Sequence, residues 1–415
     1  MNHRLAVAYD PDSSSPMEIV GALGDTCDLI FVIDSTQPLG PLARLLPRLG
    51  AVVDRAGLSP DETIAAVRAA EPEGIVSFTD SQLATASLIA EGLGLRFNPP
   101  DVTARFLDKF QQRAALQAAG IPVPRIAVLP ADATAPQILE LTKRITYPAV
   151  LKPRNGYGSR DTYHVDNADR LVQLLAPAAG ARVAADEEYV LEEYLADAGI
   201  VGDDAFGEYV SIESAVTAGD AHHLAVTGKF ALVAPYRETG NFMPSGLPAD
   251  VEAEVVALAD DAVRALGVRY GSLHTEIKLT PDGPRIIELN ARVGGGGIEN
   301  IFGMAYGHSL QRIFAMTVLG LEIPDVERQS DRIAYQFFVQ CPLDAHRLAG
   351  IDGTDAVDAL PGVEQVSFNR QVGDAVDWRA GSNGYVASIR GWADDRHALR
   401  HARTRILDTL VLTYE

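Results

Sequence analysis

Glu276 and Glu288 stand equally far on either side of Asp282 in the stretch YGSLHTEIKLTPDGPRIIELNARVGGGGIEN, Tyr270 to Asn300. Leu273, Thr275, Ile277 and Leu279 alternate with His274, Glu276 and Lys278, the period of a half-buried strand. Pro281-Asp282-Gly283 signals a turn. A second short strand follows, with Ile287 and Leu289 on one face and Ile286, Glu288 and Asn290 on the other. A hairpin symmetric about Asp282 sets Glu276 opposite Glu288 and His274 opposite Asn290. Directly opposed like charges destabilise an antiparallel pair, and a hard divalent cation between them removes the conflict. Mg²⁺ suits one or two carboxylates with waters and substrate phosphates. Glu276, Glu288 and Asn290 are therefore expected as metal ligands, with Glu288 bridging two ions and Mn²⁺ the alternative metal. The rival reading is a solvated charged face on an ordinary hairpin. Two carboxylates in register with Asn290, Arg292 and the run Gly294–Gly297 favour the metal, because glycine backbone lets a ligand approach closely.

Other segments carry groups suited to phosphates. In YPAVLKP an apolar strand ends in Lys152, the Gly-rich loop Arg154–Arg160 comes next, and the strand TYHV follows. Such a strand-loop-strand can cover phosphates, because successive backbone N–H groups form an anion-binding concavity. It is no Walker loop, since G-x-x-x-x-G-K-[ST] is absent, and a plain hairpin turn is the alternative. Tyr189–Leu195 reads as a strand ending in Glu192 and Glu193, able to hydrogen-bond an adenine amino group with Leu191 and Leu195 against the ring. Lys109, on a helix expected over Asp101–Ala119, reads by itself as a surface lysine. Pro235–Leu247 is a loop long enough to be functional; its Arg237 either touches substrate or is solvated.

The elements that must carry these groups fall into blocks. Residues 1–100 alternate short strands with helices at Leu39–Leu49, Asp61–Ala70 and Ser81–Leu93, the pattern of an open parallel α/β domain. No G-x-G-x-x-G follows the first strand, which argues against a dinucleotide role. Residues 101–188 hold the phosphate flap, and 189–330 hold the metal site, with paired antiparallel strands at Glu208–Val216 and His223–Phe230 and helices at 249–266 and Ile301–Leu319. Residues 331–415 read as a small α+β cap. The fold class is α/β, with α+β character in the middle blocks.

The chain has 415 residues, 47% hydrophobic and 22% charged, ordinary for a globular protein. A net charge of −21 argues against nucleic-acid and anionic-membrane partners, which call for a basic face. Cys27 and Cys341 offer neither metal spacing nor a disulfide framework. With no signal-peptide pattern and no long apolar run, a reducing cytoplasm is the expected location.

Lys109 in DKFQQRAALQAAGIPVP, Lys152 in PAVLKPRNGYGS, LEEYL, Glu276 in HTEIK, and Glu288, Asn290 and Arg292 in IIELNARVGGG together resemble the ATP-grasp superfamily in order and approximate spacing. With the preceding α/β domain and the cap, the resemblance covers nearly the whole chain. Within the superfamily the chain is most similar to carboxylate–amine ligases related to bacterial L-amino-acid (dipeptide) ligases. The resemblance implies an ATP-grasp fold and an ADP-forming ligase that activates a carboxylate as an acylphosphate and couples it to an amine. It implies that Lys109 and Lys152 contact ATP phosphates under a flap at Gly158 and Ser159. Glu192, Glu193 and Leu195 would hold adenine, and Glu276, Glu288 and Asn290 two Mg²⁺. Arg292 would stabilise the transferring phosphoryl group, while His274, Gly295 and Gly296 would face the amino-acid substrate. His274 is left with two roles, proton acceptor for the amine or residue beside the metal. Ala291 stands where many relatives have Pro, and the flap is less glycine-rich than in others. A homodimer is common among similar enzymes. Two other readings remain: a carboxyphosphate-forming enzyme of biotin carboxylase or purine-pathway type, and a non-catalytic ATP-binding scaffold.

Overall fold

The computed structural model describes residues 2–176 and 187–415. Four parallel strands open the chain: β1 (His3–Ala8), β2 (Cys27–Ile33), β3 (Ala51–Asp54) and β4 (Gly74–Ser77), in the order β3-β2-β1-β4. β4 and most of β1 and β2 are buried along their length, as a parallel sheet covered by helices requires. The helices include Pro16–Leu23, Pro60–Ala69 and Leu83–Leu93. The first two start at capping boxes, Ser15 with Glu18 and Ser59 with Glu62, which satisfy amides that a helix start leaves unpaired.

A second four-stranded sheet is antiparallel where its strands pair: β5 (Ile126–Leu129), β6 (Ala149–Pro153), β7 (Tyr163–Val165) and β8 (Tyr189–Glu193), in the order β5-β8-β6-β7. The expected boundary between residues 188 and 189 therefore cuts this sheet, because β8 pairs on both sides within it. Its core is Leu151, Val165, Leu171, Tyr189 and Leu191.

The largest sheet has eight strands in the order β13-β12-β9-β10-β11-β14-β17-β16. They are β9 (Phe206–Thr217), β10 (Asp220–Phe230), β11 (Gly240–Met243), β12 (Tyr270–Thr280), β13 (Gly283–Asn290), β14 (Ile333–Val339), β16 (Val363–Phe368) and β17 (Ala387–Ala393). β15 (Leu348–Asp352) and β18 (Val411–Tyr414) form a separate pair. The block from 331 onward thus extends the central sheet through β11–β14 pairing, rather than standing on it as a separate cap.

Two expected helices are each broken in two. Residues 101–119 give Pro100–Leu107 and Lys109–Ala118, because Asp108 leaves the helical region and caps the second helix, accepting from Phe110 N and Gln111 N at 2.9 and 3.2 Å. Residues 301–319 lie in Ile298–Tyr306 and Leu310–Leu319, parted at Gly307, which sits at φ +72°.

Candidate active site

The strands of the hairpin pair as expected at the two critical positions: Glu276 opposes Glu288, and His274 opposes Asn290. The faces differ from the expectation. A register shift next to Glu276 leaves Ile287 without a partner on β12, so Ile286 joins Leu289 in the core while Ile287 lines the cavity.

β13 is an edge strand, and the helix Lys109–Ala118 covers that edge. Gln112 donates from Nε2 to Leu289 O at 2.8 Å and accepts from Leu289 N at 3.0 Å, completing the ladder with a side-chain amide. Arg113, fully buried, donates to Ile287 O. This docking brings Lys109, in the first turn of that helix, against the hairpin: its Nζ lies 2.9 Å from Glu288 Oε1 and also donates to Gly156 O at the flap base. Arg154 binds the Asp108 carboxylate through Nε and Nη2 at 3.0 and 2.6 Å, tying the helix start to the flap. Lys109 is 7% exposed and no surface lysine.

Lys152, at the end of β6, reaches Glu192 Oε2 at 2.6 Å, and Arg113 Nη2 reaches Glu192 Oε1 at 3.1 Å. Burial pushes the Lys152 pKa down more than Glu192 raises it. Burial alone would raise the Glu192 pKa, but Arg113 and Lys152 outweigh it and hold the carboxylate below its ordinary value. Glu192 thus pairs with two cations while lining the cavity. Glu193 binds Arg125 Nε at 3.2 Å, and Leu195 lines the cavity beside Tyr194.

His274 is buried between two carboxylates. Its Nδ1 is 3.0 Å from both oxygens of Glu213, and its Nε2 is 3.4 Å from Glu276 Oε1. Burial would lower its pKa, yet Glu213 raises it to about 9. Glu213 thus favours the imidazolium form of His274, which sits 3.4 Å from the expected metal ligand Glu276. Burial disfavours the Glu276 carboxylate, but its bond from His274 lowers its pKa on balance. Gly294 is needed here: a Cβ would come 2.6 Å from His274 Nδ1.

Among the described residues no group of three His, Cys, Asp or Glu side chains is placed to hold a metal. Glu276, Glu288 and Asn290 form a leaner set, two carboxylates and a carboxamide, which suits Mg²⁺ completed by waters and phosphate oxygens. Lys109 Nζ, 2.9 Å from Glu288 Oε1, offsets the charge of that carboxylate.

Arg292 Nε donates to Asp80 Oδ2 at 2.7 Å, and Nη1 to Val293 O at 3.1 Å. The flap tip, Gly158 and Ser159 at φ +64° and +56°, rests on the turn 378–384, where Ser382 N donates to Gly158 O at 2.7 Å. Gly295 faces open space, while Gly296 is held through its carbonyl by Asn241 Nδ2 at 2.9 Å. Lys109, Lys152, Glu276, Glu288, Asn290, Arg292 and the glycine loop all line one cavity of about 1840 Å³.

Sequence reasoning missed Lys229 and Asp80, which line the same cavity. Lys229 is 1% exposed, 3.2 Å from Glu238 Oε1. A lysine inside the apolar run HLAVTGKF was the available signal; Asp80 left none. Arg237 is neither solvated nor free, since it donates to Ala234 O and Cys341 O.

Residues 145–300 match the ATP-grasp domain, and the chain has the ATP-grasp fold. It resembles the carboxylate–amine ligases of that superfamily. An L-amino acid ligase from Bacillus licheniformis superposes with a TM-score of 0.75 over 100% of this chain and 99% of its own, at 21% identity, a likeness of fold. The L-arginine-specific L-amino acid ligase of Bacillus subtilis is 21% identical over 348 residues, 81% of this chain and 79% of that protein. Protein y4rH of Sinorhizobium fredii is 27% identical over 301 residues, 71% of this chain. The chain spans 58% of the length of y4rH, little more than half of that relative. Among the described residues no helix is long and apolar enough to cross a membrane.

Proposed function

We propose that the protein is an ATP-dependent carboxylate–amine ligase that activates an amino-acid carboxylate as an acylphosphate and forms an amide or peptide bond, releasing ADP and phosphate. The observation that carries this reading is the convergence of Glu276, Glu288, Asn290, Lys109, Lys152 and Arg292 on one cavity large enough for a nucleotide and two further small molecules.

Phosphoryl transfer asks the protein chiefly for positioning and charge neutralisation. ATP would lie with adenine near Leu195, Tyr194 and Ile287, taking hydrogen bonds from the β8 end, and with its phosphates between Lys152, Lys109 and the flap. Glu276, Glu288 and Asn290 would hold Mg²⁺, which neutralises phosphate charge when bound. His274 keeps Glu276 oriented and ionised. Arg292 would face the equatorial oxygens of the phosphoryl group as the substrate carboxylate attacks. The neutral amine would then attack the acyl carbon, the C–O bond to phosphate would break, and the amine proton would leave with the departing phosphate. Neither cysteine is a nucleophile: both are buried, and burial pushes both thiols up. The reaction needs no protein nucleophile, which fits.

The test is ADP release with Mg²⁺-ATP across the amino acids singly and in pairs, with mass spectrometry of products. ADP release that needs both an acid and an amine, with a product at the summed mass less water, supports the ligase. Release driven by bicarbonate instead would replace it with a carboxyphosphate reaction.

A further inference from the structure

Arg292 follows the hairpin by two residues, but the group that orients it comes from the N-terminal domain. Asp80 opens the short turn Asp80–Gln82 that follows β4, at the carboxyl end of the N-terminal parallel sheet. Its Oδ2 accepts from Arg292 Nε at 2.7 Å, and both side chains are 14% exposed. The turn is itself braced. Thr79 Oγ1 and Ser81 Oγ are 3.1 Å apart, Ser81 Oγ donates to Asp10 at the end of β1, and Gln82 Nε2 lies 3.3 Å from Asp10 Oδ2.

With Nε on Asp80 and Nη1 on Val293 O, the planar guanidinium is fixed in two directions. Nη2 makes no hydrogen bond to protein among the described residues, and Arg292 lines the cavity. A guanidinium held this way presents a pre-oriented fork and loses less side-chain freedom when an oxyanion arrives. An arginine free to swing would have to be ordered during the reaction.

We propose that Asp80 is a positioning residue for phosphoryl transfer, holding the Arg292 guanidinium so that Nη2 meets the transferring group. This rests on the ligase reading of the site. It makes the N-terminal domain, which supplies no metal ligand or phosphate-binding lysine in that reading, part of the chemistry. A mere tether between domains would predict a different pattern of loss.

The test compares Asp80→Ala and Asp80→Asn in the full chain. Asparagine keeps an oxygen that can accept from Nε; alanine does not. Asp80→Ala is expected to lower kcat by about tenfold to a hundredfold, with KM for ATP within about twofold. Asp80→Asn is expected to recover most of that loss. A kcat for Asp80→Ala within about twofold of wild type overturns the proposal. So does a loss that Asn does not recover and that follows the unfolding midpoint and ADP affinity, the mark of a tether.

A second arm uses no acid or amine: Mg²⁺-ADP binding with and without vanadate, a mimic of the phosphoryl group in transfer. Vanadate is expected to tighten ADP binding to wild type, and Asp80→Ala is expected to abolish the tightening with ADP affinity alone unchanged. If wild type turns over no acid–amine pair, the ligase reading fails while this arm still reads Asp80. Equal tightening in wild type and Asp80→Ala, or none in wild type, overturns the inference.

Discussion

Replacing Glu192 by glutamine removes a negative charge between two buried cations. Glu192 is 2.6 Å from Lys152 Nζ and 3.1 Å from Arg113 Nη2, with side-chain exposures of 5%, 12% and 0% in that order. A charge pair near 3 Å at an effective dielectric of about 20 is worth roughly 5 kcal/mol before desolvation. Removing one partner of a buried pair typically costs about 3–5 kcal/mol, because the other charge is left uncompensated. One feature pulls the cost to the lower end: Arg113 keeps Ile287 O and Gln112 Oε1. The expected loss for Glu192→Gln is about 3 kcal/mol in urea-induced unfolding, read as a lower midpoint at unchanged slope. Saturating Mg²⁺-ATP should raise the midpoint of the variant more than that of wild type, because phosphates would restore negative charge beside Lys152. The pH dependence has a definite sign. The folded pKa of Glu192 is depressed, so its contribution is full above the ordinary value of 4.5 and fades as pH falls through the folded pKa. The gap between wild type and variant should therefore close in acid. A loss under about 1 kcal/mol at neutral pH, or a gap that widens in acid, refutes this account of the triad.

Three further outcomes follow from the same geometry. Glu288→Gln should abolish Mg²⁺-dependent ADP release while circular dichroism stays near wild type and the unfolding midpoint falls less than for Glu192→Gln, because relief of the opposition to Glu276 offsets part of the lost Lys109 pair; full activity would remove the metal assignment. Gly297→Ala places a Cβ 1.9 Å from Gln336 Oε1 at φ +73°, so overpacking and backbone strain together should cost about 2–4 kcal/mol in denaturant unfolding. Asp108→Ala loses the cap on Phe110 N and Gln111 N and the two bonds from Arg154, an expected cost of about 2 kcal/mol. It should also raise KM for ATP by loosening Lys109; an unchanged KM would separate the cap from the site.

The register of Glu276 and Glu288 was legible for a reason only half right. Symmetry about Asp282 predicts their pairing, yet the observed turn pairs Thr280 with Gly283, which places its centre between Pro281 and Asp282. The bulge beyond Ile286 then restores the offset. A bulge is a local insertion that leaves periodicity almost intact, so the alternating pattern does not announce it. The same bulge turned Ile286 inward. The break at Asp108 was also hidden, since the residues around it are compatible with one continuous helix and the cap depends on its own φ and ψ. Strand order lies further out of reach. Nothing local in Ile333–Val339 says that it pairs with Gly240–Met243, and so the last block reads as a separate cap. Buried ionic partners are the largest omission. Arg113 and Asp80 sit far in sequence from the groups they pair with, and pairing at that range is a property of the folded chain. What the sequence did disclose is the chemistry concentrated in short runs: HTEIK, IIELNAR and the strand ending in Lys152.

The most direct test of the account follows oxygen. Once an acid–amine pair that drives ADP release is found, the acid is supplied with ¹⁸O in its carboxylate. If that carboxylate attacks the γ-phosphate and the amine later displaces phosphate, one labelled oxygen must leave with the phosphate, and phosphate heavier by one ¹⁸O is the predicted result. Unlabelled phosphate formed alongside the amide would contradict the acylphosphate and, with it, the central claim about this site.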